Sequence, residues 1–346
     1  MDFIMVKKSL LFSLLIAPII ALMMISVHVY FIINQSYTGP DTIFVVKSGD
    51  TFGKVNQRLK DEGIIDNTRV FHYYAKYLGV MTKFRAGAFT ITTGSTMHRV
   101  LHTLVYGQPN LKSMTIPEGK NMYEIAKLVD AAGIATEADF LQAVQEPSLI
   151  SALSIQASSL EGYLYPETYR FAPNTPASTV VKAMTDLFKK RTESIDFNHP
   201  FLNRHQVIIL ASVVEKETGA KVERPAIAGV FTNRLKKRMR LESDPTTIYG
   251  IWKRYQGNIK KSDLFELTPY NTYKIPALPI GPISNPSLEA IRAVLKPEPH
   301  DYYFFVSKND GTHVFTRNYQ EHLKAVDTFQ RNTKAREGRS WRELKQ

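Results

Sequence analysis

The strongest constraint on the fold lies near the N-terminus, where 25 consecutive residues, 9–33, carry no charged side chain. At about 1.5 Å per residue, a helix of this length crosses a hydrocarbon core of roughly 30 Å. A cleavable signal peptide has a shorter apolar region, of about 7–15 residues, which ends in small residues. Here the exit reads VHVYFIINQ, residues 27–35, and is bulky throughout. The sequence therefore predicts an uncleaved transmembrane helix.

The charges around this segment predict its orientation. Lys7 and Lys8 precede the span, and the first basic residue after it is Lys47. Because positive charge favours the cytoplasmic side, we expect residues 1–8 in the cytoplasm and the rest outside, as a single-pass protein of the cell (inner) membrane. Nucleic acid is then not expected as a partner, and the formal net charge of +12 suits an anionic wall or membrane surface instead.

The remaining chain predicts an α+β protein of about two domains. Residues 34–42 form a polar linker, and residues 43–108 form a small α+β module in which a strand and a helix alternate. Within it, a helix should begin at Thr96 and stop at Gly107. The opening VVKSGDTFGKV resembles a LysM wall-binding module, and a plain packing domain stays open as the alternative.

Residues 109–332 predict a larger, mixed α+β domain, in which helical periods alternate with loops rich in Pro, Asn and Tyr. One of its helices should begin at Thr136, which is followed three residues later by Asp139. The tail, residues 333–346, is basic. The chain contains no cysteine, which excludes disulfides, cysteine metal sites and thiol chemistry.

Two carboxylates end the apolar stretch QVIILASVVEKETGA, residues 206–220. Residues two apart on a helix point about 200° apart, so Glu215 and Glu217 cannot both face one cleft. Glu217 follows the bulkier stripe, which includes Leu210 and Val213, and a carboxyl there would be desolvated, with a raised pKa suited to proton donation. Glu215 would pair with a basic residue or brace a loop. The alternative is two solvated carboxylates at a helix end, although the helix dipole opposes negative charge there.

No metal or cofactor is expected. His98 and His102 lie four apart on a predicted helix, but the residues between them include no Glu and no third ligand is evident. Ordinary surface or half-buried histidines explain this pair better than a metal site does. The sequence also has no Gly-rich phosphate loop and no Gly-x-Ser-x-Gly elbow.

Several stretches have the composition of a carbohydrate groove, in which aromatic rings stack on sugars while Asn, Asp and Thr bond their polar groups. SLEGYLYPETYRF, residues 159–171, is the richest of them. The same residue types also make plain rigid loops, and that alternative stays open. The predicted substrate-binding residues are Glu161, Tyr163, Tyr165, Glu215, Asp244, Thr246, Tyr249, Asn271 and Tyr273.

Seven motifs together resemble the endolytic murein transglycosylases of the YceG-like (MltG) family, over roughly residues 43–330, with the anchor and the LysM-like module in the same order. The departures are Tyr165-Pro166-Glu167 in place of the common Phe-Pro-Asp, and Ile280 where a second Pro is frequent. The motifs are LEGYLYPETY, ASVVEKET, VFTNRL, MRLESDPTTIYG, YNTY, LPIGPISNPS and GTHVFT.

The resemblance implies a single catalytic carboxyl, at the position of Glu217, in a YceG-like catalytic domain. It implies cleavage within nascent peptidoglycan strands between MurNAc and GlcNAc, leaving a 1,6-anhydro end, which terminates or trims strand elongation. Glycan strands, the membrane and peptidoglycan synthases are the implied partners. A non-catalytic wall-binding scaffold and a muramidase that adds water are the alternatives.

Overall fold

The computed structural model describes residues 2–47, 49–217 and 219–331, with side chains from residue 16 onward. The predicted basic tail, 333–346, lies outside the described residues. The chain divides into two compact units. The first is Met1–Lys112 with Arg170–Pro173, and the second is Ser113–Tyr169 with Asn174–Gln346.

An apolar helix, α1 (Asp2–Asn34), opens the first unit. Its segment Ile16–Asn34 is long and apolar enough to cross a membrane, and it alone passes that test among the described helices. Most of its described apolar side chains are exposed: Leu22 and Phe31 are each about two-thirds exposed. This is compatible with a single-pass membrane anchor, and the orientation of the helix stays a prediction.

A small module follows α1 in the first unit, built in the order strand, helix, helix, strand, helix. Its strands pair antiparallel, with Phe44 opposite Phe89. Thr96 caps the last helix and Gly107 ends it, as predicted from the sequence. The elements are β1 (Thr42–Val46), α2 (Phe52–Asp61), α3 (Thr68–Tyr77), β2 (Gly87–Ile91) and α4 (Met97–Tyr106).

The core of this module explains its helices. Each helix is amphipathic, and its buried apolar residues belong to one cluster with the two phenylalanines of the strands, both almost fully buried. Ile32 and Ile33, in the last turn of α1, pack against the same core. Helix α3 was not singled out from the sequence, although its N-cap Asn67 is a recognisable start signal. The likeness to LysM stays a prediction.

The second unit is mainly helical, with short two-stranded sheets, which confirms the mixed α+β prediction. Thr136 caps α6, as expected. Its elements are β3 (Lys112–Thr115), α5 (Met122–Ala131), α6 (Glu137–Val144), α7 (Pro147–Ser151), β4 (Thr168–Phe171), α8 (Ala177–Thr192), α9 (Arg204–Glu217), α10 (Arg224–Lys236), α11 (Asp244–Gly250), α12 (Lys261–Phe265), α13 (Leu288–Leu295), β5 (Phe304–Ser307), β6 (His313–Thr316) and α14 (Tyr319–Val326). The residues of β3 and β4 are divided between the two units. Short helical turns follow at Lys221–Glu223, Trp252–Arg254 and Asp327–Arg331.

Helix α9 is the central element of the second unit. All residues 207–214 are buried, and α10, α11 and α13 pack around it. A helix that is apolar on every side needs neighbours on every side. The loop 278–287 covers part of it: the Ile283 N–H donates to Ser212 Oγ at 3.0 Å, and Ser284 Oγ donates to the Ser212 carbonyl at 3.1 Å.

Gly162 lets the loop before β4 approach this helix. Its φ is +87°, and an added Cβ would lie 2.6 Å from Pro282 and 2.9 Å from Ile208. Glycine is therefore required there twice, for its backbone conformation and for the space.

We expect Gly162→Ala to destabilise the protein by about 2–5 kcal/mol, because left-handed strain adds to overpacking. Gly133→Ala is the matched control: its φ is +66°, but nothing lies within 4 Å of an added Cβ, so strain alone should cost about 1–2 kcal/mol. Chemical denaturation of both variants measures the difference. Equal losses would show that the contact with α9 is not tight.

Candidate active site

Glu215 and Glu217 leave the end of α9 in different directions, as the helical geometry predicted. Glu215 is buried, and its Oε1 accepts from Arg224 Nη2 at 2.5 Å. Its Oε2 accepts from the backbone N–H and the hydroxyl of Ser287, at 3.0 and 2.6 Å. Ser287 is the N-cap of α13. Glu215 thus pairs with a basic residue and braces a loop, the two roles expected for it.

Glu217 has a different environment. It is partly buried, and Ser243 Oγ donates a hydrogen bond to its Oε1. Burial, with a smaller contribution from the charge of Asp244, raises the pKa of this carboxyl to about 7, while the Ser243 bond and Arg234 oppose the rise. A carboxyl with this pKa is protonated in an appreciable fraction of molecules at neutral pH, and can donate a proton.

Ser243 is held against Glu217 by its own backbone. It occupies the N-cap position of α11, but its hydroxyl makes no capping bond and goes to Glu217 instead. Its N–H donates to Thr272 Oγ1 at 3.0 Å, and Thr246 Oγ1 donates to its carbonyl at 2.6 Å. The two threonine hydroxyls also bond each other at 2.8 Å. These contacts fix the position from which Ser243 donates.

Asn271 holds a second group of hydrogen bonds next to this network. It is fully buried, and its Nδ2 donates to the carbonyls of Asp263, Leu264 and Glu266. Its Oδ1 accepts from Thr247 Oγ1 and from the N–H of Tyr273, each at 3.0 Å. Thr246 and Asn271 therefore lie in the interior, where they position the residues around Glu217.

Asp244 and Tyr273 flank Glu217 on the accessible side. Tyr273 is half-buried and donates from its hydroxyl to Asp244 Oδ1 at 2.8 Å, while Asp244 is exposed. Burial and the neighbouring charges of Asp244 and Glu217 raise the pKa of Tyr273 well above its ordinary value. Tyr273 thus stays a hydrogen-bond donor throughout the neutral range. Arg234 holds the preceding loop by donating to the Leu241 carbonyl at 2.9 Å.

A second buried carboxyl, Glu161, lies in another cluster. Its Oε2 accepts from the Met122 N–H at 2.8 Å and from the Tyr249 hydroxyl at 2.9 Å, and its Oε1 accepts from Asn285 Nδ2 at 2.8 Å. Burial raises the pKa of Glu161 to about 7, against the lowering effect of the bonds from Met122 and Tyr249. Tyr249 is almost fully buried beside it.

Tyr163 and Tyr165 lie near Glu161 in sequence but differ in exposure. Tyr163 is buried, stacks on His205 and bonds its Nδ1 at 2.7 Å. Tyr165 is half-buried, and the guanidinium of Arg191 lies 5.9 Å from its ring centroid. Among the described residues, no group of three or more His, Asp or Glu side chains could hold a metal ion.

The structure therefore brings only part of the predicted set together. Glu217, Asp244 and Tyr273 form one accessible cluster, Glu161 and Tyr249 form a separate buried one, and Glu215 lies on another side of α9. Ser243 was missed from the sequence. Its Ser-Asp-Pro context signals a helix start, but only the fold reveals that its hydroxyl serves Glu217.

Comparisons with known proteins agree with this architecture. A model of the YceG-like family matches residues 44–328. A Bacillus subtilis relative named endolytic murein transglycosylase is 30% identical over 302 residues, which cover 82% of this chain and 83% of the relative. One of the same name from Streptococcus pneumoniae serotype 2 is 30% identical over 315 residues, 81% of this chain and 57% of the relative. A crystal structure of a YceG-like protein from Listeria monocytogenes, 29% identical, aligns with a TM-score of 0.57 over 83% of this chain and 99% of that one.

The two carboxylates of α9 should respond oppositely to neutralisation. Glu215→Gln should lower the free energy of unfolding by about 3–5 kcal/mol, because Arg224 would be left buried beside a neutral amide. Glu217→Gln should leave stability unchanged or raise it at about pH 8, because a desolvated carboxylate is replaced by a neutral group that still accepts from Ser243. Thermal and chemical unfolding of both variants tests this, and equal losses would contradict it.

Proposed function

The chain belongs to the YceG-like family, and from this premise we propose that it is an endolytic lytic transglycosylase of peptidoglycan. Its substrate would be the glycan strand, cut between MurNAc and GlcNAc. The observation that carries the proposal is the environment of Glu217: a partly accessible carboxyl at a helix end, with a pKa raised to about 7 and one fixed hydrogen-bond donor.

Glu217 acts first as the acid. The C1–O4 bond breaks while the protonated carboxyl gives its proton to O4 of the departing GlcNAc. Burial keeps this carboxyl protonated to a higher pH than an exposed glutamate would be. The Ser243 hydroxyl bonds Oε1, and so stabilises the carboxylate that the transfer leaves behind.

Glu217 then acts as the base. The C6 hydroxyl oxygen of MurNAc attacks C1, and its proton passes to the Glu217 carboxylate, which restores the acid and leaves a 1,6-anhydro end. Hydrolytic glycosidases need a second carboxyl as base or nucleophile. Here the substrate supplies the nucleophile, so one carboxyl is enough.

The other predicted residues take roles that follow from their burial. Asp244 and Tyr273 are accessible beside Glu217 and would bond sugar groups, and Tyr165 would line the groove. Thr246, Asn271 and Tyr163 are buried, and would position their neighbours. Such positioning roles would govern the placement of Ser243 and the groove walls rather than contact with the glycan.

The proposal also includes the location of the protein, which follows from its anchor helix and its small module. Helix α1 would hold the chain in the cell membrane with its N-terminus in the cytoplasm, which puts the second unit where new strands are made. The LysM-like module would bind the wall, and peptidoglycan synthases would be neighbours. Cutting nascent strands there would terminate or trim their elongation.

Hydrolysis is the second candidate function, and Asp244 is the observation that favours it. Its charge acts directly on Glu217, so it could serve as the second carboxyl that a muramidase requires. Asp244→Asn would then abolish turnover. In a transglycosylase the same change should leave a substantial rate.

The products distinguish these functions. We expect the full-length chain in detergent to convert uncrosslinked strands to fragments that end in 1,6-anhydroMurNAc, because no water enters the reaction. Mass spectrometry separates them from reducing-end fragments, which are one water heavier. Glu217→Gln should produce none, and the unfolding curve of that variant shows whether the loss comes from folding. Asp130→Asn, at an exposed carboxyl on α5, is the control and should keep the activity.

Reducing ends from the wild-type chain would replace the proposal with hydrolysis. A folded wild-type chain that binds strands and cuts none would indicate a scaffold. Full activity of Glu217→Gln would remove Glu217 from the mechanism under either reading.

The pH dependence should follow Glu217. We expect kcat/KM to fall as pH rises through about 7, because only the protonated carboxyl can protonate O4. Asp244→Asn removes a charge that raises this pKa, so the fall should move to lower pH. Ser243→Ala removes a bond that lowers it, so the fall should move to higher pH. Asp130→Asn, at an exposed carboxyl on α5, is the control, and shifts of the same sign in both test variants would contradict the assignment.

A further inference from the structure

A second cleft lies at the opposite end of α11 from Asp244. Its volume is about 420 Å³, and its walls come from the start of α5 and from the turn after α11. Its aromatic and basic lining includes Tyr123, Tyr249, Trp252, Lys253 and Tyr270. All belong to the second unit, so the cleft is a feature of one compact body.

Aromatic rings dominate one wall of this cleft. Tyr123 and Trp252 are nearly parallel, at 14°, with centroids 6.0 Å apart, and both are half-exposed. Tyr249 lies behind them, 6.0 Å from Tyr123 and 4.8 Å from Tyr270. Aromatic rings that line a cleft without being fully buried offer flat apolar surface to a ligand with a flat apolar face, such as a pyranose ring.

The rest of the lining includes polar and basic residues. Gln145, Ser158 and Ser159 contribute hydrogen-bonding groups, and the exposed Lys253 contributes positive charge. Arg254 also lines the cleft, but its guanidinium already pairs with Asp263, at 2.8 Å, and with Glu266. A cleft lined by aromatic rings together with amide and hydroxyl groups suits an acetamido sugar, and a lysine in the same lining suits an acidic substituent.

Buried hydrogen bonds and close packing hold the walls of this cleft in place. Glu161 lies beneath it and ties the backbone of Met122, next to Tyr123, to the hydroxyl of Tyr249. Gly250 allows close packing, since an added Cβ would lie 2.5 Å from Thr268 Oγ1. These contacts preorganise the aromatic wall, and preorganisation favours binding.

We propose that this cleft binds an N-acetylated sugar residue of the same glycan strand, with its acidic substituent at Lys253, remote from the bond that is cut. The seven residues of α11 span roughly 10 Å, which is of the order of a disaccharide. The inference rests on the proposed function and deepens it, because the cleft would set how far from a strand end the cut falls.

Tryptophan fluorescence tests the binding directly. The chain has two tryptophans, Trp252 and Trp341. A full-length Glu217→Gln/Trp341→Phe chain in detergent therefore reports from Trp252 without turnover. Titration with an N-acetylglucosamine tetramer should change the emission saturably, and Tyr123→Ala in that background should weaken binding at least about tenfold. An emission that does not respond to the tetramer would overturn the proposal.

Kinetics in the active chain give the second readout. On long uncrosslinked strands, Trp252→Ala and Lys253→Met should each raise KM several-fold with a small change in kcat, and should broaden the fragment lengths. Tyr319→Ala, an exposed aromatic on α14, is the control. If Trp252→Ala fails to fold, Lys253→Met and Tyr123→Ala still carry the test. If KM and fragment lengths are unchanged in a chain that makes anhydro ends, binding of the strand in the cleft is refuted and the proposed reaction still holds. If the tetramer changes the emission but no anhydro ends form, binding in the cleft is supported and the proposed reaction is refuted.

Discussion

The ion pair between Glu215 and Arg224 is the contact on which the candidate site depends. It is buried, and the second oxygen of the same carboxylate holds the first turn of α13 through Ser287. One side chain thereby ties α9, α10 and α13 together at the end of α9. Because a helix turns by about 100° per residue, fixing Glu215 on one side also fixes Glu217 on the other.

The two carboxyls show how packing gives different roles to residues that are close in the chain. Glu215 receives three donors, one of them a guanidinium, so its charge is well compensated. Glu217 receives one donor and a nearby like charge, so its charge is poorly compensated. The incompletely compensated charge of Glu217 lowers stability and leaves a carboxyl that can give and take a proton. Functional sites commonly depart from local rules in this way.

The local parts of this arrangement could be predicted from sequence. The divergence of Glu215 and Glu217 follows from helical geometry, and the bounds of α4 follow from Thr96 and Gly107. Ser243 and Asn285 could not be found this way, because their partners lie 26 and 124 residues away. The burial of Thr246 and Asn271 was also missed, because polar loops rich in Asn and Thr have the same composition whether their side chains bind a ligand or each other.

The raised pKa values of Glu161 and Glu217 couple folding to proton uptake. Both carboxyls titrate near 7 in the folded chain, against about 4.3 in an unfolded one. Between these values the native state holds protons that the unfolded state has released, so its stability declines as pH rises and levels off above about 7. Mild acidity thus stabilises the fold and keeps Glu217 protonated for proton donation, and both effects are lost as pH rises through about 7.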